Sequence, residues 1–215
     1  MMKKIITGLL FTALSISMLI LIGCGSEQQN TQAETTGSKP LIIYFAVAEN
    51  SEVDAVSSAS VVADGRGMIK VIADDIQAVT GGDMFSIETS VAYPGGINQL
   101  IEYAAEEQNN DERPEIISHI ENLEDYDTIF IGYPIWWYDI PQIMYSFFDE
   151  YDFSGKTIIP FVTHNGSRLI GTPDTIQELE SDATVITDGF SVNQRDVEDA
   201  AGDVEEWLKD LGYPQ

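Results

Sequence analysis

One cysteine, Cys24, stands in the whole 215-residue sequence. An intrachain disulfide is therefore excluded, and stability has to come from a conventional apolar core. Basic residues are scarce as well, 10 against 36 acidic ones, for a formal charge of -26. A chain this anionic repels phosphate, which sets aside general nucleic-acid binding. The two histidines, His119 and His164, are too far apart for metal-site spacing, and the carboxylates follow no calcium-loop pattern, so no metal is expected. No internal repeat is present. Hydrophobic residues nevertheless make up 44% of the chain, far more than a disordered acidic sequence carries, so a folded core is expected.

The cysteine gains meaning from its place. Lys3 and Lys4 precede an apolar run from Ile5 to Ile22, which ends in Leu21-Ile22-Gly23-Cys24. This resembles a bacterial lipoprotein signal peptide: small Gly23 suits a peptidase subsite, and the Cys24 thiol is nucleophilic enough to accept a diacylglyceryl group. The other reading is an uncleaved membrane anchor, for which the run is long enough. Both place the rest of the chain outside the cytoplasm and attached to a bacterial cell membrane. The expected organisation is a signal peptide over 1–23, a lipidated Cys24 with a flexible Ser-, Thr-, Gln- and Gly-rich tether over 24–39, and one domain over 40–215.

Within that domain short apolar runs alternate with amphipathic stretches. Leu41 to Val47, Met84 to Glu88, Thr128 to Tyr133, Thr157 to Thr163 and Thr184 to Ile186 read as strands. Three of them are continuously apolar, as strands covered on both faces are. Helices fit at Met68 to Thr80, Ile97 to Gln108, Pro141 to Glu150, Thr175 to Glu180 and Arg195 to Asp210. The alternation predicts an α/β fold, a doubly wound five-stranded parallel sheet with helices on both faces, whose ligands bind at the carboxyl ends of the strands.

Two loops at those ends are unusual. Gly132-Tyr133-Pro134-Ile135-Trp136-Trp137-Tyr138 crowds four aromatic rings into six positions. A planar heteroaromatic ligand would stack on such rings, although they could also pack under the loop or form a protein interface. Phe161-Val162-Thr163-His164-Asn165-Gly166-Ser167 ends another strand with groups able to meet a polar ring edge, though His164 could simply cap a turn.

Together with Ala92-Tyr93-Pro94, Arg113-Pro114-Glu115-Ile116 and Tyr151-Asp152-Phe153-Ser154-Gly155-Lys156, these segments resemble the flavodoxin-like family, in particular its lipoprotein-type members with a GYPIWW loop. The resemblance covers Pro40 to about Val192. It implies FMN, with its ring bordered by Pro134, Ile135, Trp136, Trp137 and Tyr138 on one side and by Thr163, His164, Asn165, Gly166 and Ser167 on its far edge. It also implies a phosphate loop at Ala46, Val47, Ala48, Arg66, Gly67, Met68 and Ile69. Trp137 is the expected stacking residue, and no side chain is expected to act as nucleophile or general acid, because the cofactor carries the redox chemistry.

The phosphate loop departs from the family pattern. Gly67-Met68-Ile69 stands where Gly-Asn-Thr is usual and Ala46 where a Ser is usual, so three side-chain donors are missing. The helix N-terminus, Arg66 and Ser57, Ser58 or Ser60 of the inserted Ser51 to Asp64 segment are the groups left to compensate. Two functions follow. One is a membrane-tethered FMN protein that moves electrons between an unidentified donor and acceptor, as a carrier or a small flavin-dependent reductase. The other is a non-redox binding module with a degenerate phosphate loop; a purely structural surface protein is a weaker third.

Overall fold

The computed structural model describes residues 39–50 and 61–213. The expected signal peptide, Cys24, the tether up to Ser38, and Ser57, Ser58 and Ser60 lie outside the described residues. The chain order is β1 (Leu41–Tyr44), a single turn α1 (Val47–Asn50), α2 (Met68–Thr80), β2 (Asp83–Ser86), α3 (Ile97–Asn109), β3 (Thr128–Pro134), α4 (Gln142–Glu150), β4 (Thr157–His164), α5 (Thr172–Leu179), β5 (Thr184–Val185), β6 (Phe190–Asn193) and α6 (Ala201–Asp210). All pairings in the sheet are parallel, in the order β2-β1-β3-β4-β5, with β6 also on β4.

The continuous apolar strands are explained by two separate cores. On one face Ile43, Ile129, Ile131, Ile158 and Val162 meet Leu100 of α3, Ile143 and Phe147 of α4, and Ile176 of α5. On the other, Ile42, Phe130, Ile159 and Phe161 meet Ile69, Ile72 and Ile76 of α2 and Val204 and Leu208 of α6. The Phe161 ring lies so close over Gly132 of the neighbouring strand that any Cβ there would run into it. Helix α2 starts and stops where the sequence predicts, its end set by Gly81, which turns left-handed (φ 66°) and returns its N–H to the Gln77 carbonyl at 2.8 Å.

The expected five strand positions are present, but the fifth is filled in two pieces. The Ile158 and His164 carbonyls accept bonds from Ile186 and Gln194 on that edge. Pro160 has the same parity, faces the same edge and has no N–H to give. The edge strand therefore leaves β4 after β5 and rejoins it as β6, passing Pro160 at Gly189, where a Cβ would strike the Pro160 carbonyl. Two helix boundaries also differ. The expected helix from Arg195 becomes a 3-10 turn at Val197–Asp199 followed by α6, and α5 begins at Thr172, because Pro173 is tolerated in a first turn.

Candidate functional site

After β1 the chain runs to the outer strand β2 and then crosses back to β3, and the segments leaving β1 and β3 lead to helices on opposite faces, α2 on one and α4 on the other. A cleft of about 660 Å³ opens at the carboxyl end of the sheet, a size suited to a small organic ligand. Ile135, Trp136, Trp137 and Tyr138 form one wall, Asn165, Gly166 and Ser167 another, with α3 and Gln194 completing it.

The aromatic wall is a tight turn. Trp136 and Asp139 exchange backbone bonds, N–H to carbonyl, at 3.0 and 2.9 Å, leaving Trp137 and Tyr138 as the two turn residues. Both have positive φ, 46° and 65°. Asn and Gly normally fill such positions, so two large aromatic residues there store strain on the order of 1 to 3 kcal/mol each. The turn is held from outside: Asp139 accepts from the Tyr145 hydroxyl of α4 at 2.9 Å, and the Trp137 indole N–H donates to the Ile101 carbonyl of α3 at 3.0 Å. Despite that tether the Trp137 and Tyr138 side chains are exposed, Tyr138 to 71%. Strain, external anchoring and exposure of apolar rings together mark this turn as a candidate ligand surface.

Trp136 has a different task. Its ring packs edge-on against Phe45 and Tyr93, at centroid distances of 6.0 and 5.5 Å, and Tyr93 does the same to Tyr103. This cluster anchors the first residue of the turn in the core. Beneath it Glu107 of α3 is 2% exposed, within 3.4 Å of the Tyr93 hydroxyl, and its Oε2 has no partner. Burial pushes the Glu107 carboxyl up to about 7.

The second wall starts from His164. The ring is buried, and its Nδ1 accepts the Gly166 N–H at 2.8 Å, which fixes the turn that presents Asn165 and Ser167. Burial, reinforced by the Arg168 charge, holds the imidazole below its ordinary value and so favours the neutral form that this bond requires. The turn carries strain of its own, since Arg168 and Ile170 also have positive φ.

At the start of α2, Ala46, Ala48 and Gly67 come together: a Cβ on Gly67 would lie 2.9 Å from that of Ala46. A short hairpin, closed by the antiparallel Val61–Gly67 bridge and by the Val62 N–H to Arg66 carbonyl bond of 2.9 Å, delivers the first turn of α2 to this point. The amides of that turn are the donors available there.

Of the expected ligand residues, Ile135, Trp136, Trp137, Tyr138, Asn165, Gly166 and Ser167 meet at the cleft. Others have their side chains committed elsewhere. Pro134 and Thr163 are buried partners in the β3–β4 register, and His164 shapes its loop from behind. Val47 is buried in the core beside Phe45, while Met68 and Ile69 pack among the residues of the α2 face, so none of the three side chains is offered to a ligand. The Arg66 guanidinium is gripped by Asp64 at 2.8 Å and Asp74 at 2.9 Å. It is therefore not the unencumbered phosphate ligand that the sequence suggests. The sequence reading missed Ile97, Leu100, Ile101 and Ala104 of α3, and Gln194 after β6. The four α3 residues follow helical spacing and look like an ordinary core stripe; Gln194 gives no signal in the sequence.

The family model for flavodoxin matches residues 41–211. The chain belongs to the flavodoxin family. Solved structures agree with a flavodoxin architecture. A candidate flavoprotein from Bacteroides eggerthii is 25% identical, with a TM-score of 0.63 over 83% of this chain and 100% of that one. A second, from Bacteroides uniformis, is 24% identical with the same score over 80% and 99%. A flavoprotein from Lactobacillus acidophilus, solved in complex with FMN, is 20% identical with a TM-score of 0.52 over 75% and 97%. No curated protein matches this flavodoxin. Among its described residues no cluster of metal-ligating side chains occurs, and no helix is long and apolar enough to cross a membrane.

Proposed function

We propose that this flavodoxin binds FMN in the cleft at the carboxyl end of its sheet and transfers electrons while tethered to the outer face of a bacterial membrane, as a carrier or a small flavin-dependent reductase. The observation that carries the reading is the strained, exposed Trp137-Tyr138 turn facing the Asn165-Gly166-Ser167 loop across a cleft of about 660 Å³. The groups present fit FMN. Aromatic faces suit the ring, the loop offers amide and hydroxyl groups to its polar edge, and the α2 amides beside Gly67 suit a phosphate without needing side-chain donors.

When bound, FMN supplies the electron chemistry; the protein's part is to hold and shield it. Trp137 and Tyr138 provide a stacking face, Trp136 and Tyr93 anchor the turn in the core, and His164 holds the opposite loop through Gly166. The net charge of -26 would disfavour added negative charge on a bound flavin and so would lower its potential. The tether reading is supported by Lys3, Lys4, the apolar run to Ile22 and Cys24 in the lipobox position, and it is tested by lipid labelling of the wild type against Cys24→Ala.

The cofactor test is a titration of the full-length protein in detergent, freed of ligand, with FMN and riboflavin while flavin and tryptophan fluorescence are followed. Tight FMN binding, about micromolar or better, with reversible reduction supports the electron-transfer reading. Failure to bind either flavin overturns it. The engaged Arg66 and buried Met68 and Ile69 favour a second reading, a non-redox module for another planar ligand, which stoichiometric and reducible FMN binding would remove.

A further inference from the structure

Gln194 follows β6, the strand piece created by the interruption at Pro160. Its N–H donates to the His164 carbonyl at 2.8 Å, which places it beside the loop that faces the aromatic turn. The backbone around it is fixed from both sides: Asn193 Oδ1 accepts the Arg195 N–H at 3.1 Å, and the Asn193 carbonyl accepts the Asp196 N–H at 2.9 Å. The side chain lines the cleft together with Asn165, Gly166 and Ser167. Its Oε1 is cut off from solvent and has no hydrogen-bond partner.

A buried amide oxygen without a donor is unfavourable, and native structures leave very few. Here the orphan belongs to a side chain that lines the cleft, on a segment whose backbone is held by its neighbours. We propose that Gln194 reads the edge of the bound ring: on binding, its side chain turns so that Oε1, shielded in the ligand-free protein, accepts an in-plane N–H from a planar heteroaromatic ligand whose face lies on the Trp137-Tyr138 turn. In flavin the group that meets this description is the imide N–H of the isoalloxazine. The side chain thus selects ring systems with an N–H donor in that edge over those that present only acceptors. This inference rests on the flavin reading and deepens it.

The test uses full-length protein in detergent, FMN, and FMN methylated at the imide nitrogen, on the wild type and Gln194→Met. The wild type is expected to prefer FMN over its methylated form by about tenfold. Gln194→Met is expected to lose about tenfold in FMN affinity and to bind both flavins alike. With the orphan removed, the ligand-free variant should melt no lower than the wild type, a readout that separates this role from a structural one. If the wild type binds both flavins equally, or Gln194→Met keeps the preference, the inference is overturned while the flavin reading stands. If the wild type binds neither FMN nor riboflavin, the flavin reading falls and takes the inference with it.

Discussion

The two regions expected to hold the ligand are built on different plans. At the aromatic end, side chains do the work: Trp137 and Tyr138 are held in left-handed backbone, anchored through Trp136 and Tyr93 and faced by a loop that His164 fixes. At the α2 end, side chains have withdrawn: Met68 and Ile69 are in the core, Ala46 and Gly67 touch, and Arg66 is shared between two aspartates. Recognition at one end costs folding strain, whereas at the other it rests on backbone amides that any helix start supplies. The phosphate should therefore contribute through backbone contacts alone, each worth about 1.5 to 3 kcal/mol, so that riboflavin loses at least about tenfold relative to FMN.

The largest effect comes from forcing the α2 end to resemble the aromatic one. Met68→Asn with Ile69→Thr restores polar side chains in name, but both positions are buried, at 8% and 2% exposure. The pair should cost about 4 kcal/mol in chemical denaturation without raising FMN affinity, through lost apolar burial and polar groups left unpaired. A gain in affinity at unchanged stability would show that these side chains face the ligand after all.

Next is the foundation of the aromatic end. Burial raises Glu107 from 4.5 to about 7, so the folded state keeps a proton that the unfolded chain has released. Stability is then fully present below pH 4.5 and lost as pH rises through 7. Glu107→Gln should match the wild type below that window and exceed it at pH 8 by about 3 kcal/mol in urea denaturation, from a shift of roughly 2.5 units at 1.36 kcal/mol each. A difference independent of pH would mean that Glu107 is ionised in the fold.

Replacing Trp137-Tyr138 by Asn-Gly tests the exchange of strain for recognition directly. FMN affinity should fall about 100-fold, the worth of two ring contacts, while the ligand-free protein melts a few degrees higher as the turn relaxes. Calorimetry and fluorescence titration read the two effects separately, and a fall in both stability and affinity would make the turn a structural element. The smallest effect is expected at the α2 end: Asp74→Asn releases one grip on Arg66 and should improve FMN binding a few-fold with riboflavin unchanged. An equal change for both flavins would place Arg66 away from the phosphate.

What was legible in the sequence follows the same division. Continuous apolar runs at Leu41–Tyr44, Thr128–Pro134 and Thr157–His164 announce buried parallel strands, and the stripe of α2 together with Gly81 fixes both its ends. The aromatic turn stands out because four rings in a loop have few bland uses. Phe190–Asn193 escaped, because four residues whose burial alternates, next to Gly189, carry too little pattern to mark a strand. Gln194 escaped with it, since its placement depends on a break that Pro160 imposes from the neighbouring strand. The α3 wall was hidden in plain periodicity: Ile97, Leu100, Ile101 and Ala104 have the spacing of core residues, and only the tertiary fold decides that their outer edge borders a cleft.

The interruption at Pro160 also bears on how the molecule meets its neighbours in a crowded compartment. An open strand edge offers a row of unpaired amides and carbonyls on which another chain can extend the sheet. On this side the row consists of a two-residue and a four-residue piece, offset from one another by a bend. Neither piece is long enough to template a third strand. The same proline that sets the register of the cleft-facing segment thus leaves the sheet with a margin that resists growth.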